Sequence, residues 1–198
     1  SRLIGLEVLK LNSEAENLKN NIEEYNRILS DKTIILKENQ SIKWYNYKIT
    51  LYENIENFKK DENAEYAIFK IDDRIENGEF FVRNRKDGDR ISLKNLGHKK
   101  VKKILIDEKV PKGERDFVPI VGVKVSRVQN NLEFSSDDVK LENGNTNEVT
   151  EILAISDIKF SKFLEKIQEN EIEKEIKKLG NGSKSKLLVI GRKNGRER

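Results

Sequence analysis

The sequence predicts an α+β fold, with helices and a few short strands first, then a small mixed α/β domain built on a basic strand–turn–helix unit. Three observations predict it. Ile4, Val8, Leu11, Ala15, Leu18, Ile22, Tyr25 and Leu29 step by fours and threes, which keeps them on one helical stripe. Short runs rich in β-branched and aromatic residues follow, among them "TIILK" (33–37), "YKITLYE" (47–53) and "YAIFKIDD" (66–73). Helical spacing then returns in "HKKVKKILIDEK" (98–109) and "FSKFLEKIQENEIEKEIKKLG" (160–180).

Taken in order, Ser13 with Glu16 fits a capping box, so one helix is expected to end near Leu11 and a second to begin at Glu14. The polar stretch 54–65, "NIENFKKDENAE", reads as a linker between a partial central region, 1–60, and a C-terminal domain, 66–198. "YAIFKIDD" and "FFVRNR" (80–85) read as strands joined through "ENGE". Strand alternation places Phe81, Arg83 and Arg85 on one face, and "KDGD" (86–89) supplies a turn in which Gly88 is free to take positive φ. In the helix expected at 98–109, Val101, Ile104 and Leu105 form the inward stripe, with Lys99 and Lys103 opposite and Lys102 on the flank. Pro111 closes it, because the residue before a proline is pushed out of the α region. "FVPIV" (117–121) reads as a buried strand, 122–150 as a long polar hairpin insertion, "EILAIS" (151–156) as a strand, and 160–180 as an amphipathic helix ended by Gly180. "SKLLVIG" (185–191) is the last expected strand.

Charge is distributed unevenly along this plan. The chain of 198 residues carries 39 basic and 35 acidic side chains, a net of +4. From Arg83 to Arg115 there are 12 Lys or Arg against Asp87, Asp89, Asp107, Glu108 and Glu114, a net of +7, which leaves −3 for all the rest. A mildly acidic body with a basic segment points to a polyanionic partner. Arg83, Arg85, Arg90, Lys99, Lys102 and Lys103 would come from consecutive rigid elements, which suits tracking a phosphate backbone. Few aromatics lie among them, so duplex RNA recognised through its backbone fits better than stacked single strands.

Several chemistries are disfavoured. The absence of cysteine excludes disulfides and thiolate metal sites. A single histidine, His98, excludes histidine pairs and clusters. Asp87 with Asp89, and Asp137 with Asp138, stand in turn-like sequence that favours Asp for backbone reasons, so no metal site is expected. "GNGSKSK" (180–186) follows a helix pattern where a phosphate loop would precede one. No catalytic or cofactor-binding residue is therefore expected, and no apolar run approaches the ~20 residues that span a bilayer. A cytoplasmic protein with no membrane partner is expected. The start at Ser1 and the lack of any methionine read as a piece of a longer protein.

At "VRNRKDGDRI" (82–91) and "GHKKVKKILIDEKVPKGERDFVPIV" (97–121), the sequence resembles the C-terminal domain of bacterial tRNA(Ile)-lysidine synthetases. The pattern is carried by Arg83, Arg85, Gly88, Asp89, Arg90, Gly97, Lys99, Lys100, Lys102, Pro111, Glu114, Arg115 and Pro119. A weaker likeness continues at "EILAISDIKFSKF" (151–163), and a loose one covers 29–53. The chain departs from the family in a slightly short loop between Arg90 and Gly97, in a long 122–150 segment, and in lacking the Ser-Gly-Gly-x-Asp-Ser nucleotide loop. The resemblance implies a tRNA-binding part that holds the acceptor-stem end of tRNA(Ile), itself binding no cofactor. A domain elsewhere in the longer enzyme would use ATP with magnesium to join lysine to the wobble cytidine, in a protein that can form a homodimer. It adds Lys100 and Arg115 to the expected RNA contacts. A stand-alone nucleic-acid-binding module and a protein-interaction domain with an acidic partner are the alternatives.

Overall fold

The structure, a computed structural model, describes residues 32–53, 58, 64–126, 147–168, 171, 172, 174 and 186–193. The chain divides into two units, Ser1–Lys32 and Thr33–Arg198, and the architecture below is that of the second. The helices expected over the first thirty residues lie outside the described residues.

The described part is built of strands, which overturns the expected α+β fold. In chain order these are β1 (Ile34–Ile35), β2 (Ser41–Trp44), β3 (Tyr47–Tyr52), β4 (Ala64–Ile71), β5 (Glu79–Arg83), β6 (Arg90–Leu93) and β7 (Gly97–Lys100). Helix α1 (Val101–Asp107) follows, the one helix described throughout, and then β8 (Ile120–Ser126), β9 (Glu148–Ile155), β10 (Lys159–Phe160), β11 (Leu164–Ile167) and β12 (Leu187–Lys193). The first sheet runs β1-β5-β8-β9-β6-β7, with β10 beside β9; the second runs β11-β4-β12-β3-β2. All pairings are antiparallel except β6 with β9.

Burial explains why the chain adopts two layers. Phe80, Val82, Val121, Val123 and Leu153 of the first sheet share one core with Trp44, Ile49, Leu51, Phe69, Leu188 and Ile190 of the second. The opposite face of the first sheet packs Ile91, Leu93, Ile120, Ile152 and Ile155 under Val101, Ile104 and Leu105 of α1. The outer face of the second sheet gathers Ile68, Ile167, Leu187 and Val189. Sheets covered on both faces read as continuous apolar runs, as in "FFV" and "LLVI".

Two expected helices are corrected in particular ways. The first half of 160–180 forms β10 and β11. Phe160, Phe163, Leu164 and Ile167 have helical spacing, but Leu164 and Ile167 also fit a short strand whose middle residues, Glu165 and Lys166, are exposed. Pairing with the edge of β4, in register Leu164↔Ile71 to Ile167↔Ile68, decides between the two. Tertiary pairing outweighs intrinsic helix preference here. Residues 172 and 174 are helical, and the remainder of that segment lies outside the described residues. The helix expected from His98 begins only at Val101, because His98, Lys99 and Lys100 pair with β6.

Candidate nucleic-acid interface

The basic segment folds as β5, a turn, the β6–β7 hairpin, α1, and an irregular run that leads into β8. Its organising contact is buried. Arg83 is 6% exposed and lays both guanidinium nitrogens on Asp89, Nη1 to Oδ2 at 2.7 Å and Nη2 to Oδ1 at 3.0 Å. Asp89 Oδ2 also accepts from the Lys86 amide at 2.7 Å, and the Asp89 carbonyl accepts from the Val101 amide at 2.9 Å. One ion pair thus fixes the end of β5, the turn, and the first residue of α1. Gly88 completes the turn at φ 81, where a side chain would be strained.

Two more of the expected cations are held inside the fold. Arg85 binds Asp116 at 2.9 Å and approaches Asp87 at 3.5 Å. Arg115 Nε donates to the Val110 carbonyl at 2.8 Å, just past the helix. Arg85 thus ties the run 111–119 to the β5–β6 turn and Arg115 ties it to the end of the helix, while the Trp44 indole donates to the Phe117 carbonyl at 3.2 Å.

The other five sit at the surface. Arg90 and Lys100 are directly opposite across the β6–β7 hairpin, and both are exposed. They form no ion pair among the described residues. Like charges opposite one another on a sheet destabilise it, so this pair is a local cost to the fold. Lys99 is opposite Ile91, on the hairpin face toward α1, and is partly buried. Lys102 and Lys103 are exposed on α1, Lys103 having only a loose contact with Asp107 at 3.4 Å. Lys99 therefore belongs to a strand, not to the helix face where the sequence places it. Lys94, in the hairpin loop, and Lys109 and Lys112, past the helix, are also exposed.

The sequence reading missed a polar cluster on the face of the hairpin that carries Arg90 and Lys100. Ser92 and His98 are cross-strand partners there, with Ser92 Oγ 2.7 Å from His98 Nε2. Ser92 Oγ donates to Glu151 Oε2 at 3.3 Å, and both residues are buried. Glu151 lies on β9, 59 residues away in the chain, so no local pattern announces it. Among the described residues there is no group of three or more His, Asp or Glu able to hold a metal ion.

Fold and edge together define a two-sheet β domain with a cationic hairpin-and-helix rim. Residues 80–125, which contain the turn, the hairpin and α1, match the family model for the TilS substrate C-terminal domain. Relatives agree with it. The chain is 44% identical over 70 residues to tRNA(Ile)-lysidine synthase of Caldanaerobacter subterraneus subsp. tengcongensis, covering 35% of this chain and 14% of that protein. It is 32% identical over 118 residues to the enzyme of that name from Persephonella marina, covering 50% and 26%. It thus spans a minor part of the relatives it matches. A crystal structure of a TilS C-terminal domain is similar at a TM-score of 0.49 and 23% identity, over 83% of this chain and 98% of that one. Residues 80–125 of this chain are thus similar to the C-terminal domain of tRNA(Ile)-lysidine synthases.

Proposed function

We propose that this chain is the tRNA-binding part of an ATP-dependent tRNA(Ile)-lysidine synthase, and that its cationic rim holds the acceptor-stem end of tRNA(Ile). A separate domain of the longer protein would use ATP, magnesium and lysine on the wobble cytidine. One observation carries the reading. The segment that matches the family model is also the segment that sets Arg90 against Lys100 with no counter-ion among the described residues, beside Lys99, Lys102 and Lys103. Phosphates would relieve that repulsion, and cations on paired strands and a helix are fixed in spacing, which favours a folded duplex over a flexible strand. Arg83, Arg85 and Arg115 act differently in this reading: they hold the rim in shape.

The test is a titration of the chain with an isoleucine tRNA transcript at several salt concentrations. Five surface cations predict a log–log salt slope of roughly −3 to −5. Changing Lys99, Lys100, Lys102 and Lys103 together to Ala lowers the slope by about 1 for each lost contact, with the thermal transition retained. A slope near zero in the parent chain overturns the reading in favour of a protein partner.

A further inference from the structure

We propose that Phe160 and Lys162 form a second RNA contact beside the rim, one that takes an unpaired nucleotide. Its base stacks on the Phe160 ring and its phosphate lies on the Lys162 ammonium. The inference rests on the tRNA-binding reading above, and it adds the unpaired 3′ end of the acceptor stem to the duplex held by the rim. Phe160 is the only exposed aromatic ring among the described residues, at 37%. The ring is held in place all the same. Its backbone pairs with Ala154 on β9, and the ring rests tilted on Phe69 of the second sheet, centroids 5.0 Å apart. Phe69 belongs to the core between the sheets. A ring fixed in this way loses little freedom when a base comes to lie on it, and every base has a face to offer.

The charge beside the ring is placed as firmly. Along this run Phe160 and Lys162 are exposed, while Ser161 and Phe163 are buried. Lys162 Nζ sits over the Phe163 ring, 5.2 Å from its centroid, and the Arg74 guanidinium lies over the same ring at 5.2 Å. Asp72 neutralises Arg74 through bonds of 2.7 and 2.8 Å, whereas Lys162 has no counter-ion among the described residues. The Lys162 amide donates to the Ser92 carbonyl at 2.8 Å, which sets the run against β6. Ser92 is two residues along that strand from Arg90, a separation of about 7 Å. Ring and ammonium therefore adjoin the rim. Fixed charges suit the paired stem, and a ring beside a charge suits the strand that runs on from it.

The experiment measures binding of the full chain to an isoleucine tRNA transcript with and without its unpaired 3′ nucleotides, in one buffer. The parent is expected to bind the complete transcript about fivefold or more tightly than the shortened one. Phe160→Leu keeps an apolar side chain against Phe69 but has no ring. It is expected to lose that preference and to bind the shortened transcript as the parent does, with its thermal transition retained. Lys162→Gln is expected to lower the log–log salt slope for the complete transcript by about 0.7 and to leave that for the shortened one unchanged. Two outcomes overturn the inference while salt-dependent binding of both transcripts keeps the tRNA reading. One is equal affinity of the parent for the two transcripts, a measurement that needs no variant; the other is a preference that Phe160→Leu retains. Absence of binding to either transcript removes both.

Discussion

Arg83→Ala leaves Asp89 as a buried, unpaired carboxylate and frees the turn that α1 starts from. Breaking a buried pair in this way costs about 3–5 kcal/mol, so a large fall in the thermal midpoint is expected, with tRNA affinity lost only as folding is lost. Arg74 offers a contrast at the surface. Its hydrogen bonds to Asp72, at 2.7 and 2.8 Å, hold that carboxyl below its ordinary 3.8 despite some burial. A depressed carboxyl stabilises the fold above the unfolded value, and that contribution is lost as pH falls through the folded one. Arg74→Ala is therefore expected to cost less than about 1 kcal/mol at pH 7, given its exposure, and nothing once Asp72 is protonated; denaturant curves of both proteins, from pH 7 down through the acid range until their difference vanishes, check this. Arg83 shows what a residue-by-residue reading cannot see. Alternation places it on one face with Phe81 without saying how deep that face lies, and Phe80, Phe81, Val82 and Arg83 are all buried, because both faces of β5 are covered. A period of two carries information only when one face is wet.

At the scale of elements, the β6–β7 hairpin trades stability for charge. Lys100→Thr removes the like-charge pair with Arg90, so it is expected to raise stability by a few tenths of a kcal/mol while weakening tRNA binding. Thermal denaturation and a tRNA titration on the same variant test the trade, and parallel losses of both would refute it. Gly122 on β8 marks the opposite constraint. A Cβ there would clash with the Phe81 ring, so Gly122→Ala is expected to destabilise by about 1–3 kcal/mol, measured by equilibrium unfolding. Many strands were legible from apolar runs, including β3, β4, β5, β9 and β12; β8 was legible only in part, since "FVPIV" shares Ile120 and Val121 with it while the rest of the strand runs into the segment read as a polar insertion. The start of α1 was not, since "HKK" has no intrinsic strand signal and is extended because it pairs with β6. The same holds for β11, whose four residues suit either period until β4 is beside them.

For the whole molecule, the proposed division of labour predicts that the chain alone makes no lysidine. Incubation with ATP, lysine and tRNA(Ile), followed by nucleoside analysis, should give only background. The motif-bearing segment was legible because its residues are contiguous, from Arg83 to Arg115, and so is the charge they concentrate. The two-sheet arrangement was hidden for the reverse reason. Sheet neighbours such as β6 and β9, or β4 and β12, are far apart in sequence, and no local pattern names a partner.

The place of β12 has a consequence for how the molecule is made. Leu187–Lys193 lies between β3 and β4, antiparallel to both, with Leu187, Leu188 and Ile190 wholly buried. During synthesis, strands 47–52 and 64–71 emerge from the ribosome more than a hundred residues before the strand that must separate and join them. Until then each presents an open apolar edge, the kind of surface that chaperones bind and aggregates recruit. Nascent chains stopped at residue 185 should accordingly remain protease-sensitive or precipitate, whereas chains extended beyond residue 193 and clear of the exit tunnel should become resistant in one step. The cationic rim, assembled within 80–125 and its neighbours β8 and β9, would then be exposed to RNA earlier in synthesis than the second sheet can close.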